Sequence, residues 1–213
     1  MRSAFHLLSV FALLALCLAG RTQTLPKSVH VAPWDTHKEM IAAVFANDLP
    51  SVFLPQKLDI TITSVHQDLM DEIVHFDPKL QLQAVGCFAQ TADGHHHIIF
   101  GPSIIVSDQI SDKDYKETLR HEYGHYVWYD LCTENERREY GKAWTFLKKK
   151  KRLPTVYGGF KVQEGAAEAF MLYIGQDKSE TNEEHAFWSK VETRLLLEKN
   201  LLESLSLTSH RLL

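Results

Sequence analysis

The segment that most constrains the fold is residues 121–125, which read His-Glu-Tyr-Gly-His. Two histidines four positions apart share a face only on an α-helix, so the segment predicts a helix that turns both imidazoles toward one point. Ser111 and Asp114 have the S-x-x-D form of a capping box, and no Gly or Pro separates that box from the segment. Among twelve histidines in 213 residues such a pattern arises by chance at times, and the helical context argues against chance here.

The same spacing is that of a zinc site. His121 and His125 are predicted to bind one tetrahedral Zn²⁺ per chain. Glu122 lies about 100° round the helix from His121, close to a metal-bound water, and is the predicted general base. Gly124 costs about 1 kcal/mol relative to Ala in a helix. Its missing side chain predicts that another element approaches the metal closely.

Residues 163–174 predict a second helix that completes the site. A catalytic zinc has three protein ligands and one open position, and Glu164, 39 residues after His125, is the predicted third ligand. Glu168, one turn further on, is predicted to orient a ligand histidine. The alternative is an amphipathic helix with two solvated glutamates. Small residues on the carboxylate face argue against it: Gly165, Ala166, Ala167 and Ala169.

Tyr157 stands seven residues before Glu164. The combination H-E-[aromatic]-G-H, then Y-G-x5-E, then E-x-x-A-E-A-F resembles the metalloprotease domain of anthrax lethal factor. It is also similar to the small secreted Pro-Pro endopeptidases of the same clan, the gluzincins. The resemblance covers residues 115–175. The N-terminal part matches in layout rather than in residues, so a substrate preference does not carry over.

The resemblance implies a role for each site residue. His121, His125 and Glu164 would bind zinc, and Glu122 would act as the base. Tyr157 would donate its phenol to the tetrahedral oxyanion, a stabilisation worth about 3 kcal/mol.

The rest of the chain predicts an α+β fold. A small mixed sheet with an edge strand is followed by a helical half, as in a zincin-like domain. Predicted elements are a helix at Thr36–Asn47, a strand at Leu58–Thr63, a helix at Ser64–Phe76, hairpin strands at Ala84–Gln90 and His95–Phe100, and a closing helix in the last thirty residues. That closing helix carries Phe187, Trp188, Val191, Leu195 and Leu196.

One strand is expected to serve the substrate. The second hairpin strand precedes the zinc helix, and in gluzincins the strand there is a sheet edge that binds a peptide as an added strand. The physics of strand addition fits this role.

The first twenty residues predict a secretory signal peptide, leaving a single domain at 21–213. Arg2 precedes an apolar run of 13 residues, Leu7–Ala19, which is too short to span a bilayer stably. Cys17 raises the alternative of a lipoprotein anchor, but Leu16 is larger than the residue such a site prefers. No other apolar run is long enough for a membrane span, so a secreted, extracellular protein is expected.

Cysteine content and net charge limit the disulfides and the classes of partner that the chain is expected to have. Cys87 and Cys132 remain after the signal, and their pairing is left open. A net charge of −4 argues against a nucleic-acid partner. Neither the oligomeric state nor regulation is indicated.

Two further runs have alternative interpretations. His95–His97 suggests a second metal site, but neighbouring strand residues point to opposite faces, which favours a hairpin end or a lining of the substrate groove. Lys148–Arg152 is interpreted as a solvated helix end or loop, with a patch for acidic substrates as the alternative.

These observations predict a secreted zinc metalloendopeptidase that hydrolyses peptide bonds in an extracellular protein or peptide. The alternatives are an aminopeptidase of the same clan and a non-catalytic zinc-binding protein. The scissile sequence is not indicated.

Overall fold

The computed structural model describes residues 25–32, 37–55, 60–64, 86–90, 96–100, 111–177 and 179–209. Its strands are β1 (Val29–Val31), β2 (Ile60–Ser64), β3 (Gly86–Gln90) and β4 (His96–Phe100). Its α-helices are α1 (Lys38–Asn47), α2 (Asp112–Tyr126), α3 (Glu134–Lys149), α4 (Val162–Gly175) and α5 (Asn182–Ser209), with a π-helix at Val127–Leu131 and a 3₁₀ turn at Tyr157–Gly159.

The four strands form one mixed sheet in the order β1-β2-β4-β3. β1 and β4 both run parallel to β2, whereas β3 and β4 pair antiparallel, with Gly86 opposite Phe100 and Gln90 opposite His96. The antiparallel pair confirms the predicted hairpin. A small mixed sheet followed by helices confirms the α+β class.

The prediction for the substrate-binding edge is wrong in one respect. β4, the second hairpin strand, pairs with β2 on one side and β3 on the other, so it lies inside the sheet. Within the described strands the edge next to the helical half is β3. The physical reason is that β4 pairs in parallel with β2 as well as antiparallel with β3, so neither of its edges is open.

The structure corrects the predicted boundaries of three other elements. The first predicted helix is α1, which begins at Lys38 rather than Thr36, and the predicted strand at Leu58–Thr63 is β2, which begins at Ile60. Residue 64, the predicted start of a helix, ends β2 instead, because it pairs with Phe100. The remainder of that predicted helix, with residues 1–20, lies outside the described residues.

Helix α2 begins where the sequence predicted. Ser111 Oγ accepts a hydrogen bond from the Asp114 backbone N–H at 3.2 Å, and the Asp114 carboxylate accepts from the Ser111 hydroxyl at 2.8 Å. The box is therefore closed through the two side chains, and it satisfies one of the free N–H groups of the first turn. Arg120 ties α2 to the end of α1 through a 2.6 Å ion pair with Asp48.

Helix α2 continues into the π-helix at Val127–Leu131. The Cys132 backbone N–H donates to Val127 O at 2.9 Å, across five residues. The guanidinium of Arg137 donates to Trp128 O, Tyr129 O and Cys132 O at 3.1, 3.2 and 2.6 Å. These bonds satisfy carbonyls that the wide turn leaves open.

The hydrophobic core lies between the sheet and the helices. Ile60, Ile62 and Ile98 face it from the strands with no exposed surface. Trp188 on α5 is fully buried, and its ring meets that of Phe170 on α4 at 5.0 Å between centroids. Phe187 and Val191 are also buried, as predicted for a closing helix, whereas Leu196 is 46 % exposed and lies outside the core.

Cys132 is buried and is a free thiol, so it forms no disulfide. Burial raises its pKa to about 12, which keeps it protonated at neutral pH. Among the described helices none is long and apolar enough to cross a membrane.

Candidate metal centre

Helix α2 presents His121 and His125 side by side. One helical turn separates them, their ring centroids are 4.9 Å apart, and the ring planes are nearly perpendicular. Both side chains are buried. The i, i+4 spacing therefore gives the geometry expected of it: two imidazoles facing one point.

Helix α4 adds Glu164 to this point. Glu164 Oε2 lies 3.3 Å from His121 Nε2 and 3.4 Å from His125 Nε2. One ligand atom from each of the three residues lies within 4.8 Å of the others. Glu164 Oε2 and His125 Nδ1 are buried without a well-formed hydrogen bond. Two imidazole nitrogens and a carboxylate oxygen are the donor set that suits zinc, so the residues present fit this metal.

The two helices approach closely because Gly124 has no side chain. A Cβ at Gly124 would lie 2.9 Å from Ala167 Cα and 3.0 Å from Ala167 O, both on the backbone of α4. Real Cβ atoms essentially never come so near another atom. The sequence predicted a close approach at this position, and the structure identifies α4 as the partner.

Glu168 lies behind His121. Its Oε1 is 3.2 Å from His121 Nδ1, on the side of the ring away from Glu164. A carboxylate this close favours the tautomer in which Nδ1 carries the proton of the neutral imidazole, and Nε2 is then free to act as the ligand.

Glu122 is buried beside the three ligands. Burial raises the pKa of its carboxyl group, although His121 and His125 oppose this rise. The backbone N–H of Phe88, on edge strand β3, donates a hydrogen bond to the Glu122 carboxylate. The sequence offered no signal for this contact, since a backbone donor has no residue signature.

Tyr157 lies beside His121. Its ring centroid is 5.6 Å from that of His121, and about half of the side chain is exposed. Burial and the nearby carboxylate of Glu164 raise the pKa of its phenol well above the usual value. The phenol therefore stays protonated and is able to donate a hydrogen bond at neutral pH.

The charges at the centre compensate one another. Burial alone would lower the pKa of His121, but its contacts with Glu164 and Glu168 raise it to about 10. The same imidazoles hold the pKa of Glu164 well below its usual range, against the effect of burial. A metal ion bound here would take the place of the imidazole proton that faces Glu164, because ligand nitrogens bind metals in their deprotonated form.

Within the described residues, the two other candidate runs supply no residue of the ligand group. His96 is buried at the start of β4, with Nδ1 3.7 Å from Asp130 Oδ2, which agrees with a hairpin end. His95 and the side chain of His97 are outside the described part of the chain. Lysines 148–151 are exposed at the end of α3, as predicted for a solvated helix end.

Tyr129 is a site neighbour that the sequence analysis missed. It lies in the π-helix, and its ring stacks on those of His125 and Phe88 at 6.4 and 6.3 Å between centroids. Its distance of four residues from His125 was a usable signal, because one turn of helix separates them.

Comparison of the chain with protein-family models, with curated proteins and with solved structures finds no match.

Proposed function

We propose that this protein is a zinc-dependent metalloendopeptidase with a zincin-like fold of the gluzincin type. The observation that carries the proposal is the convergence of His121, His125 and Glu164 within 4.8 Å, with Glu122 buried beside them and the Tyr157 ring 5.6 Å from that of His121. A non-catalytic zinc-binding protein needs neither Glu122 nor Tyr157. The presence of both favours an enzyme.

His121 Nε2, His125 Nε2 and Glu164 Oε2 would hold the metal. A bound zinc ion supplies a Lewis acid, which lowers the pKa of a water molecule and polarises a carbonyl group. Glu168 keeps His121 in the tautomer that leaves Nε2 free, because it lies at Nδ1.

Glu122 would accept the proton of the attacking water and pass it to the departing amine nitrogen. The Phe88 N–H fixes the carboxylate from the side of edge strand β3. Tyr157 would donate its phenol proton in a hydrogen bond to the oxyanion that forms at the attacked carbonyl. Strand β3 has an open edge in the described sheet, and the peptide would add to it as a further strand.

The proposal includes export from the cell. Residues 1–20 have the composition of a secretory signal, and the substrate would be an extracellular protein or peptide. Sequencing the N-terminus of the protein recovered from the medium tests this part separately.

The test compares the wild type with Glu122→Gln and His125→Ala on a library of peptides with acetylated N-termini. We expect about one zinc per chain in the wild type, the same content in Glu122→Gln, and a loss of metal in His125→Ala. Turnover of Glu122→Gln should fall by roughly 10²- to 10⁴-fold, the usual effect of losing a general base. Glu117→Gln, which removes a carboxylate from the same helix at a position paired with Lys113, is the control.

Three results would contradict the proposal. A zinc content near zero that does not rise on adding metal would show that the three residues do not form a zinc site. Retention of more than about a tenth of the wild-type turnover in Glu122→Gln would show that Glu122 is not the general base. Cleavage of free but not acetylated peptides would assign an aminopeptidase instead.

A further inference from the structure

The segment that carries Tyr157, Thr155–Phe160, is held to the protein by side chains of helix α3. We refer to it as the Tyr157 loop. Trp144 Nε1 donates to Gly158 O at 2.8 Å, and Lys148 Nζ donates to Gly159 O at 2.6 Å. Lys148 Nζ also lies 4.5 Å from the centre of the Trp144 ring. Two neighbouring carbonyls of the loop are thus bound by two residues one helical turn apart.

The loop also packs on α4: Gly158 is buried, and a Cβ there would lie 3.4 Å from Gly165 Cα and from Glu168 Cγ. Its own hydrogen bonds are short-range: Gly158 N–H to Thr155 Oγ1 at 2.9 Å, and Gly159 and Phe160 N–H to Val156 O and Tyr157 O at 3.0 Å. Val156 is 87 % exposed and Phe160 is 69 % exposed, so the loop buries little apolar surface of its own. The bonds from Trp144 and Lys148 add to this packing by tying the Gly158 and Gly159 carbonyls to α3.

Gly165 provides the space for the Trp144 contact. A Cβ at Gly165 would lie 2.5 Å from Trp144 Cδ1, 2.6 Å from Trp144 Nε1 and 2.8 Å from Gly158 O. Gly165 directly follows the ligand Glu164. The indole, the loop carbonyl and the ligand-bearing turn of α4 consequently meet at one point.

We propose that Trp144 is a positioning residue for Tyr157, with Lys148 as a weaker second anchor. The inference rests on the proposed function, since it assigns Trp144 its effect through the oxyanion donor. Anchoring the Gly158 carbonyl holds the phenol beside His121. Displacement of a catalytic group by about 1 Å is enough to cost up to a hundredfold in rate.

The test is a double-mutant cycle between Trp144→Phe and Tyr157→Phe, with kcat and KM measured on one acetylated peptide. Trp144→Phe keeps an aromatic ring but leaves Gly158 O without its donor. We expect kcat to fall roughly three- to thirtyfold, with KM within about twofold, and zinc content unchanged. In the Tyr157→Phe background the same substitution should change kcat by less than about twofold, because the group it positions is gone.

Hydrogen exchange supplies a readout that does not depend on turnover. Trp144→Phe should speed exchange of the Gly159 and Phe160 amides by roughly tenfold, whereas amides of α4 stay protected. Lys148→Met should show the same pattern with a smaller change, because its bond is exposed. Thr145→Val is the matched control: it removes a bond from Thr145 Oγ1 to Gly141 O within α3 and touches no part of the loop.

The outcomes are distinguishable. Equal losses of kcat in both backgrounds, or no loss in the wild-type background, would overturn the inference. So would unchanged exchange at Gly159 and Phe160. If the wild type cleaves no peptide, the proposed function fails, and the exchange data alone decide whether Trp144 anchors the loop.

Discussion

The two halves of the candidate centre are held in place by different forces. His121, Glu122 and His125 are buried and owe their spacing to helix α2, and the close approach of Gly124 to the Ala167 backbone brings Glu164 on α4 to them. Tyr157 lies on a half-exposed loop that is attached through two carbonyls to the side chains of α3. The ligands are therefore positioned by close packing of two helices, whereas the position of the oxyanion donor depends in addition on two hydrogen bonds from side chains. Substitutions should affect the two halves separately.

Among the substitutions that act on only one half, Tyr157→Phe gives the largest expected effect. It removes one hydroxyl from the loop, so kcat should fall roughly 10²- to 10³-fold, the range for one oxyanion donor. KM should change little, because the donated bond forms only in the transition state. Zinc content measured beside the kinetics should match the wild type. Full kcat in this variant would mean that Tyr157 is only a loop aromatic.

Glu168→Gln perturbs the ligand half without removing a ligand. Because the charge at His121 Nδ1 is lost, zinc affinity should fall roughly ten- to a hundredfold, as measured by competition with a chelator. Glu139→Gln is the control, since Glu139 is exposed and pairs only with Lys190 in the described contacts. If Glu168→Gln abolishes zinc binding while Glu164→Gln retains it, the roles of the two carboxylates are exchanged.

Gly124→Ala tests the packing of the ligand half. The new Cβ meets backbone atoms of Ala167, which cannot rotate away, so the helices must separate. We expect a loss of about 1–3 kcal/mol in the free energy of unfolding, the usual cost of overpacking. Thermal unfolding measures it, and zinc affinity should fall with it. An unchanged melting temperature would show that α2 and α4 do not depend on this contact.

Gly141→Ala is predicted to have the smallest effect, and it should raise rather than lower the free energy of unfolding. Gly141 lies inside α3, and a Cβ there would meet only Val162 Cγ2, at an ordinary 3.9 Å. Alanine should stabilise the protein by about 0.5–1 kcal/mol, because glycine loses more backbone freedom in a helix. If the melting temperature rises in Gly141→Ala and falls in Gly124→Ala, the loss in Gly124→Ala is due to the contact with Ala167.

The sequence predicted the packed half of the centre better than the anchored half. The i, i+4 spacing of His121 and His125 and the small residues around Glu164 have a helical period, so they indicated both helices and their close approach. Tyr157 entered the predicted site through a resemblance. Its anchor, the bond from Trp144 to Gly158 O, joins two elements whose proximity has no local signature.

The order of the strands in the sheet also could not be predicted from local sequence patterns. Alternation and a turn signal predicted the β3–β4 hairpin, but the inner place of β4 depends on its parallel pairing with β2, more than thirty residues earlier in the chain. The exposure of Leu196 has a similar cause. In the described part of the chain Leu196 lies beyond the stretch of α5 that joins the core, and periodicity alone does not show where that stretch ends.

The π-helix at Val127–Leu131 bears on how related chains are able to differ in length. A π turn contains one residue more than an α turn, so deleting a residue there would close the turn to α geometry and displace the carbonyls that the wide turn leaves open. Arg137 would then leave the three carbonyls that it binds. A deletion in the exposed second half of α5 would shorten that helix without moving the centre. Insertions and deletions that preserve activity are therefore expected near the end of α5 and absent from the π turn.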